Sequence, residues 1–230
     1  MIMFLLYTFF KKCSNQRSAE NVSVLHKLSG VRFYIISISL LLLLLLISNI
    51  TKTQHLQLNY TVKQGEDTIG WMRLEKKVTG NTSFLSLISE IKKRVIFMIN
   101  VSASEYCTFQ NGQLFYSCQL RKTNGTIKLS KQTRLVTDKY EVLENEQKRT
   151  LSFVYIGANL LSMYFEEPVA INAVYCETLQ CFIPITKTTD GGYKIKFPDG
   201  NSNSYYYTRG ACTKIKISHT FYSAVILLNQ

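Results

Sequence analysis

At 230 residues, with 46% hydrophobic content, 12% aromatics and only three prolines, the chain is too apolar for wholesale disorder and shows no break in composition that would divide it. Its formal charge of +12 invites a nucleic-acid reading, but residues 1–50 carry five Lys/Arg against one acid, leaving 22 basic and 14 acidic residues, an excess of eight, for the remainder. The densest basic clusters, Lys76-Lys77, Lys92-Lys93-Arg94 and Arg121-Lys122, are short and fall at expected strand edges or ends, where lysine deters edge-to-edge pairing, so no nucleic-acid partner is expected.

The chain opens on MIMFLLYTFF, closed by Lys11-Lys12 and followed by a polar segment with Cys13. That preface fits a leader badly and suggests that translation begins later, near Val24 or Val31. From Phe33 to Ile47 the residues FYIISISLLLLLLLI run without a charge behind Lys27 and Arg32. A run of about 15 such residues after a basic flank matches a secretory signal better than a full membrane span of about 20, which extension to Ile50 would just reach. Residues 1–53 therefore read as a targeting region, cleaved or kept as a membrane anchor through 33–50. Residues 54–230 read as one exported domain, secreted, periplasmic or held at the cell envelope.

After Gln54 the pattern turns to period-two alternation. Leu56, Leu58, Tyr60 and Val62 alternate with polar neighbours until Gly65-Glu66-Asp67 interrupts them, the mark of a half-buried strand ending in a turn. Strands are predicted near 68–78, 82–91, 93–101, 103–110 and 113–121, with turns at Thr79-Gly80-Asn81, Asn111-Gly112 and Asn124-Gly125. Asn-Gly suits a type I′ hairpin because both central residues need positive φ. Further strands are expected at 126–136, 138–143, 148–154, 169–176, 181–187, 193–197, 203–209 and 212–228, the last broken near His219. One helix is expected at 157–165, where Leu160, Leu161 and Tyr164 share a face before Pro168, placed to cover or plug the sheet. The fold class is thus all-β and antiparallel, a curled open sheet or barrel-like meander with one short helix.

Five cysteines lie in this part. Cys107 and Cys118 flank Asn111-Gly112, and Cys176 and Cys181 enclose four residues, so each pair brackets a hairpin. In an oxidising compartment this spacing predicts two disulfides rather than metal ligands, with Cys212 left as a buried thiol. No zinc motif, nucleophile elbow or phosphate loop appears, so no cofactor or metal is expected and catalysis has little support. Glu166, Glu167, Asp190 and Asp199 are the acids from which a glycosidase pair could be drawn, yet nothing in the sequence places two of them across a cleft. The most distinctive stretch is Phe197-Pro198-Asp199-Gly200-Asn201 followed by three tyrosines. Tyr205, Tyr206 and Tyr207, with Trp71, are the candidate ligand contacts, against the alternative that the tyrosines close the core at a barrel rim.

Asn59-Tyr60-x-Val62, Ile69-Gly70, Asn111-Gly112-x-Leu114, Glu167-Pro168 and Pro198-Asp199-Gly200 with Tyr-x-Tyr-x-x-Gly at 205–210 together resemble domain of unknown function 6134, a family of secreted bacterial β-proteins. The resemblance implies export and an antiparallel, barrel-like sheet, and brings no catalytic residues. The function expected is a non-enzymatic holder of an apolar small molecule or lipid; the alternative is an envelope protein that docks a partner along a strand edge, with a hydrolase behind both.

Overall fold

The computed structural model describes residues 53–94, 98–220 and 222–229; the targeting region and its apolar run at 33–47 lie outside them. Eight strands follow one another as a meander: β1 (Gln54–Gln64), β2 (Asp67–Thr79), β3 (Thr82–Arg94), β4 (Met98–Gln110), β5 (Gln113–Thr123), β6 (Thr126–Val136), β7 (Lys139–Glu144) and β8 (Gln147–Thr150). A second meander holds β9 (Ala173–Cys176), β10 (Cys181–Lys187), β11 (Tyr193–Lys196), β12 (Ser202–Thr208), β13 (Ala211–His219) and β14 (Tyr222–Leu228). The last strand returns to the first, with Tyr60 opposite Leu228, so all fourteen form one antiparallel sheet ordered β8 to β1, then β14 to β9.

The sheet's two edges, β8 and β9, are therefore neighbours in sequence, and residues 151–172 run from one to the other as a strap. Its backbone bonds to the wall along its first half, where Leu114 N–H donates to Ile156 O (2.8 Å), Tyr175 N–H to Ala158 O (3.0 Å) and Leu160 N–H to Tyr175 O (3.1 Å), and at its end, where Ile185 N–H donates to Asn172 O (2.8 Å). These bonds explain why the helix expected at 157–165 is reduced to a single 3-10 turn, Ser162–Tyr164. A helix would turn the backbone groups of Ala158 and Leu160 inward on themselves, whereas the wall offers them partners and a place for their side chains.

Alternation sets what fills the interior. Tyr60, Val62, Leu74, Leu85, Leu114, Tyr140, Ile195, Tyr205 and Ile215 point inward and are buried, and the strap contributes Ile156, Leu161, Met163 and Phe165. Buried tyrosines carry hydroxyls that must be satisfied. Tyr60 donates to Cys212 O (2.8 Å) and Tyr140 to Leu114 O (2.8 Å) within the wall, while half-buried Tyr207 donates to Met163 O (2.6 Å) and so ties the strap to β12.

The Asn-Gly turns form as the sequence predicts, with positive φ at Asn111 and Gly112 and at Asn124 and Gly125. The expected strand 103–110 lies within β4, but that at 93–101 is divided, Lys93 and Arg94 ending β3 and Met98 to Val101 opening β4, while those at 148–154 and 169–176 are cut short by the strap.

One irregularity decides the first cysteine pair. In the β4–β5 hairpin Phe109 faces Leu114, but Thr108 faces Tyr116, so Phe115 is an extra residue, and beyond it Cys107 pairs with Ser117 and Cys118 with Tyr106. A one-residue slip moves every later side chain to the other face. Cys107 is buried inside while Cys118 stands on the outer face, so this hairpin does not bring the two sulfurs together. Cys176 and Cys181 do stand directly opposite each other, as their spacing predicts.

Candidate ligand cavity

The strap crosses the lumen and leaves a space on each side. One, of about 320 Å³, lies between Gly157, Ser162 and Met163 of the strap and Leu85 and Phe109 of the wall. The larger, about 450 Å³, has a floor of Leu87, Leu161, Cys176 and Tyr205, all buried, with Leu160, Tyr164 and Phe197 alongside. Exposed Arg121, Leu179, Pro198 and Asp199 mark its mouth. The turn Pro198-Asp199-Gly200-Asn201 is fixed by Asp199, whose carboxylate accepts from Asn201 N–H (3.0 Å) and from the Asn201 amide (2.6 Å).

A polar row runs across the inner face beside this cavity. The registers place Leu87 opposite Glu105, Glu105 opposite Gln119, Gln119 opposite Lys131 and Lys131 opposite Glu144. The tip of the β9–β10 hairpin docks on that row. Lys131, almost wholly buried, donates to Thr178 O (2.7 Å) and pairs with Glu144 (3.1 Å). Thr178 Oγ1 donates to Gln119 Oε1 (3.1 Å), and the Gln180 amide to Glu144 (3.4 Å). Side chains, rather than a backbone ladder, thus join this hairpin to β5, β6 and β7.

Two carboxyl groups in the lumen are poorly compensated. Glu105 borders the cavity, and burial raises its pKa although the Gln119 amide and the Arg121 charge pull it down. Glu177 is buried, with one carboxyl oxygen accepting from the Asn159 amide and the other without a partner. Burial first and the neighbouring Glu105 second push Glu177 up to about 8. Removing a carboxylate from water costs more than one amide returns, which is why both hold their protons unusually well.

The four residues proposed from sequence do not converge. Tyr205 lines the cavity, edge-on to Tyr164 at 6.0 Å between ring centres. Tyr207 also points inward but is engaged with the strap, and stands edge-on to Tyr193 at 5.6 Å. Tyr206, between them, points outward, its ring 4.7 and 4.9 Å from the Lys214 and Lys216 ammonium groups and its hydroxyl on Asp190 (2.8 Å). Trp71 is 41% exposed on the outer face of β2, beneath the Arg73 guanidinium, because inward Met72 takes the alternate position.

The acids named from sequence are dispersed too. Glu166 pairs with Lys76, Glu167 accepts from Tyr193 OH (2.8 Å), Asp190 serves Tyr206 outside, and Asp199 sits at the mouth. The acids that do meet, Glu105 and Glu177, were not singled out. The signal for Glu105 was its place two residues before Cys107 and four before Phe109, on the inward face of an alternating strand. Buried thiols complete the picture: burial lifts Cys176 to about 11 and Cys212 to about 12, so neither is a ready nucleophile at neutral pH.

The family model described as Domain of unknown function (DUF6134) matches residues 60–229. The chain belongs to this family. Comparison of the DUF6134 chain with curated proteins gives no significant match. Among solved structures it is similar to a protein from Brucella abortus titled a beta-barrel-like protein of domain of unknown function DUF1849, at 10% identity and a TM-score of 0.47, over 79% of this chain and 97% of that one.

Proposed function

We propose that this DUF6134 chain is a non-enzymatic binding protein that carries a small, largely apolar molecule in the larger lumen cavity, on the far side of the membrane from the cytoplasm. The observation that carries this reading is the cavity: about 450 Å³, within the range of small-molecule sites, with a buried apolar floor and a few polar groups on one wall. Tyr164 and Tyr205 offer ring faces and edges to an apolar body, and burial keeps both hydroxyls protonated. Export rests on the uncharged run at 33–47.

Docking of a partner along a strand edge has less to work with. The β9 edge is occupied by the strap through Ala158 and Leu160, and β8 offers four exposed residues that include Lys148 and Arg149.

Leu87→Trp, which sets an indole on the cavity floor, tests the reading. With decan-1-ol as probe, displacing a fluorescent alkyl-chain reporter from the purified protein, the variant is expected to bind at least about tenfold more weakly while its circular dichroism stays that of the parent. Equal affinity in both proteins, or no displacement by decan-1-ol or by its amine and carboxylate counterparts, defeats the proposal.

A further inference from the structure

The cavity's polar wall also speaks to the chemistry of the ligand. Three carboxyl groups, those of Glu105, Glu144 and Glu177, lie on the inner face or on the hairpin tip that docks against it, and one buried lysine serves them. Lys131 is committed to Glu144 and to Thr178 O. Glu105 has no Lys or Arg nitrogen within ion-pair distance among the described residues, and Glu177 keeps an unpartnered oxygen. Arg121 acts on Glu105 only from the mouth, where it is exposed to water. Gln119 has its carbonyl taken by Thr178, which leaves its amide to face Glu105. The other ionisable groups around the cavity are Tyr164, Tyr205, Cys176 and Asp199. The first three are neutral and the last is acidic, so among the described residues Arg121 at the mouth is the lining's one cation and none lies within the wall.

Building on the binding function proposed above, we infer that the cavity takes an amphiphile with a positively charged nitrogen, an alkylammonium in the simplest case, lodged against Glu105 with its chain over Leu87, Leu160 and Leu161. An ammonium supplies the charge-assisted hydrogen bonds that the Glu105 carboxylate lacks in the empty protein. A fatty-acid carboxylate would instead face Glu105 across the same space, and an alcohol would gain one neutral hydrogen bond. Burial raises the Glu105 pKa and an ammonium seated beside it lowers it again, so ligand and proton compete for the carboxylate: where the ligand meets the protonated form the O–H bond breaks, the proton leaves to buffer, and the carboxylate pairs with the ligand.

Decylamine, decan-1-ol and decanoate share one chain and differ only in the head. Titration of the purified protein with each at neutral pH is expected to give decylamine at least about tenfold tighter than either of the others, the value of one charge-assisted contact over a neutral one. Repeating the decylamine titration from neutral pH down to about pH 4 is expected to show its affinity falling, as Glu105 takes up its proton, while that of decan-1-ol holds. Glu105→Gln should bring decylamine to within about threefold of decan-1-ol while leaving the decan-1-ol affinity in place. Decanoate or decan-1-ol binding as tightly as decylamine overturns the cationic ligand but spares the cavity's binding role. A decylamine affinity that does not fall with pH in the parent protein overturns it even if Glu105→Gln fails to fold, and failure of all three probes overturns both readings.

Discussion

The two spaces beside the strap handle charge in opposite ways. Around the smaller one, the ionic groups are Lys76, Glu166 and Glu167, and each has its partner: Lys76 reaches Glu166 at the surface, and Glu167 accepts from Tyr193. Beside the larger one, Glu105 of the lining and Glu177, between the lining residues Cys176 and Thr178, are drawn into the interior with an amide apiece and, among the described residues, no cation at contact distance. A strand wall that can satisfy its ionic groups on one side and leaves them short on the other marks the second side as the one where something else is to be supplied.

The largest effect expected from this contrast is on stability against pH. Glu177 has a folded pKa of about 8, above its value in the unfolded chain, so the folded state holds the proton more tightly. Its contribution is fully present below the ordinary carboxylate range and is lost as pH rises towards about 8. Unfolding free energies from urea titrations between pH 5 and pH 8.5 should therefore fall with rising pH by on the order of 3 kcal/mol from this group, and Glu177→Gln should flatten that slope. A Glu177→Gln slope identical to the parent's would show that the carboxyl is solvated and that the contrast is not electrostatic. Lys76→Met, on the other side of the strap, should leave the slope unchanged.

The second contrast lies between the two cysteine hairpins, and it shows where the sequence was readable. Alternation and Asn-Gly turns were enough for the all-β antiparallel class and for most strand positions, because period two and positive φ are local properties. The bulge at Phe115 was not readable, since whether an extra residue is absorbed depends on what the wall and strap offer Leu114, whose N–H is taken by Ile156 O. The helix at 157–165 failed for a related reason: its pattern is sound, but backbone partners from β5 and β9 lie beyond any local window. Of the candidate site, Tyr205 and the Pro198-Asp199 turn were visible as a motif. Glu105 was hidden in plain alternation, and Glu177 in a loop that only tertiary docking buries.

Oxidation sharpens that second contrast with a smaller effect. Cys176 and Cys181 face each other across the β9–β10 hairpin, whereas Cys107 and Cys118 lie on opposite faces of β4 and β5. Non-reducing peptide mapping after refolding under a glutathione redox couple should find the 176–181 bridge and no 107–118 bridge. The closed loop is short, so reduction should cost about 2 kcal/mol in a urea titration. Because burial holds the Cys176 thiol at about 11, air oxidation of the already folded protein should be slow, the thiolate being the attacking species. A bridge between Cys107 and Cys118 would require the hairpin to shed its bulge, and with it the inward placement of Gln119 beside Glu105.

The smallest effect belongs to the compensated side. Glu166 is 69% exposed while the Lys76 side chain is 20% exposed, so their pair sits where water screens it. Lys76→Met keeps the aliphatic stem, which packs beside the smaller cavity, and removes only the charge. The expected loss is below about 1 kcal/mol, falling towards zero in 0.5 M salt, with decylamine and decan-1-ol affinities unchanged. Should Lys76→Met instead weaken binding in the larger cavity, the strap would be transmitting a change from one side to the other. Glu166 and Met163, which line the smaller cavity, are joined in sequence to Leu161 and Tyr164 of the larger, so that result would make the two spaces one coupled site rather than two walls with separate tasks.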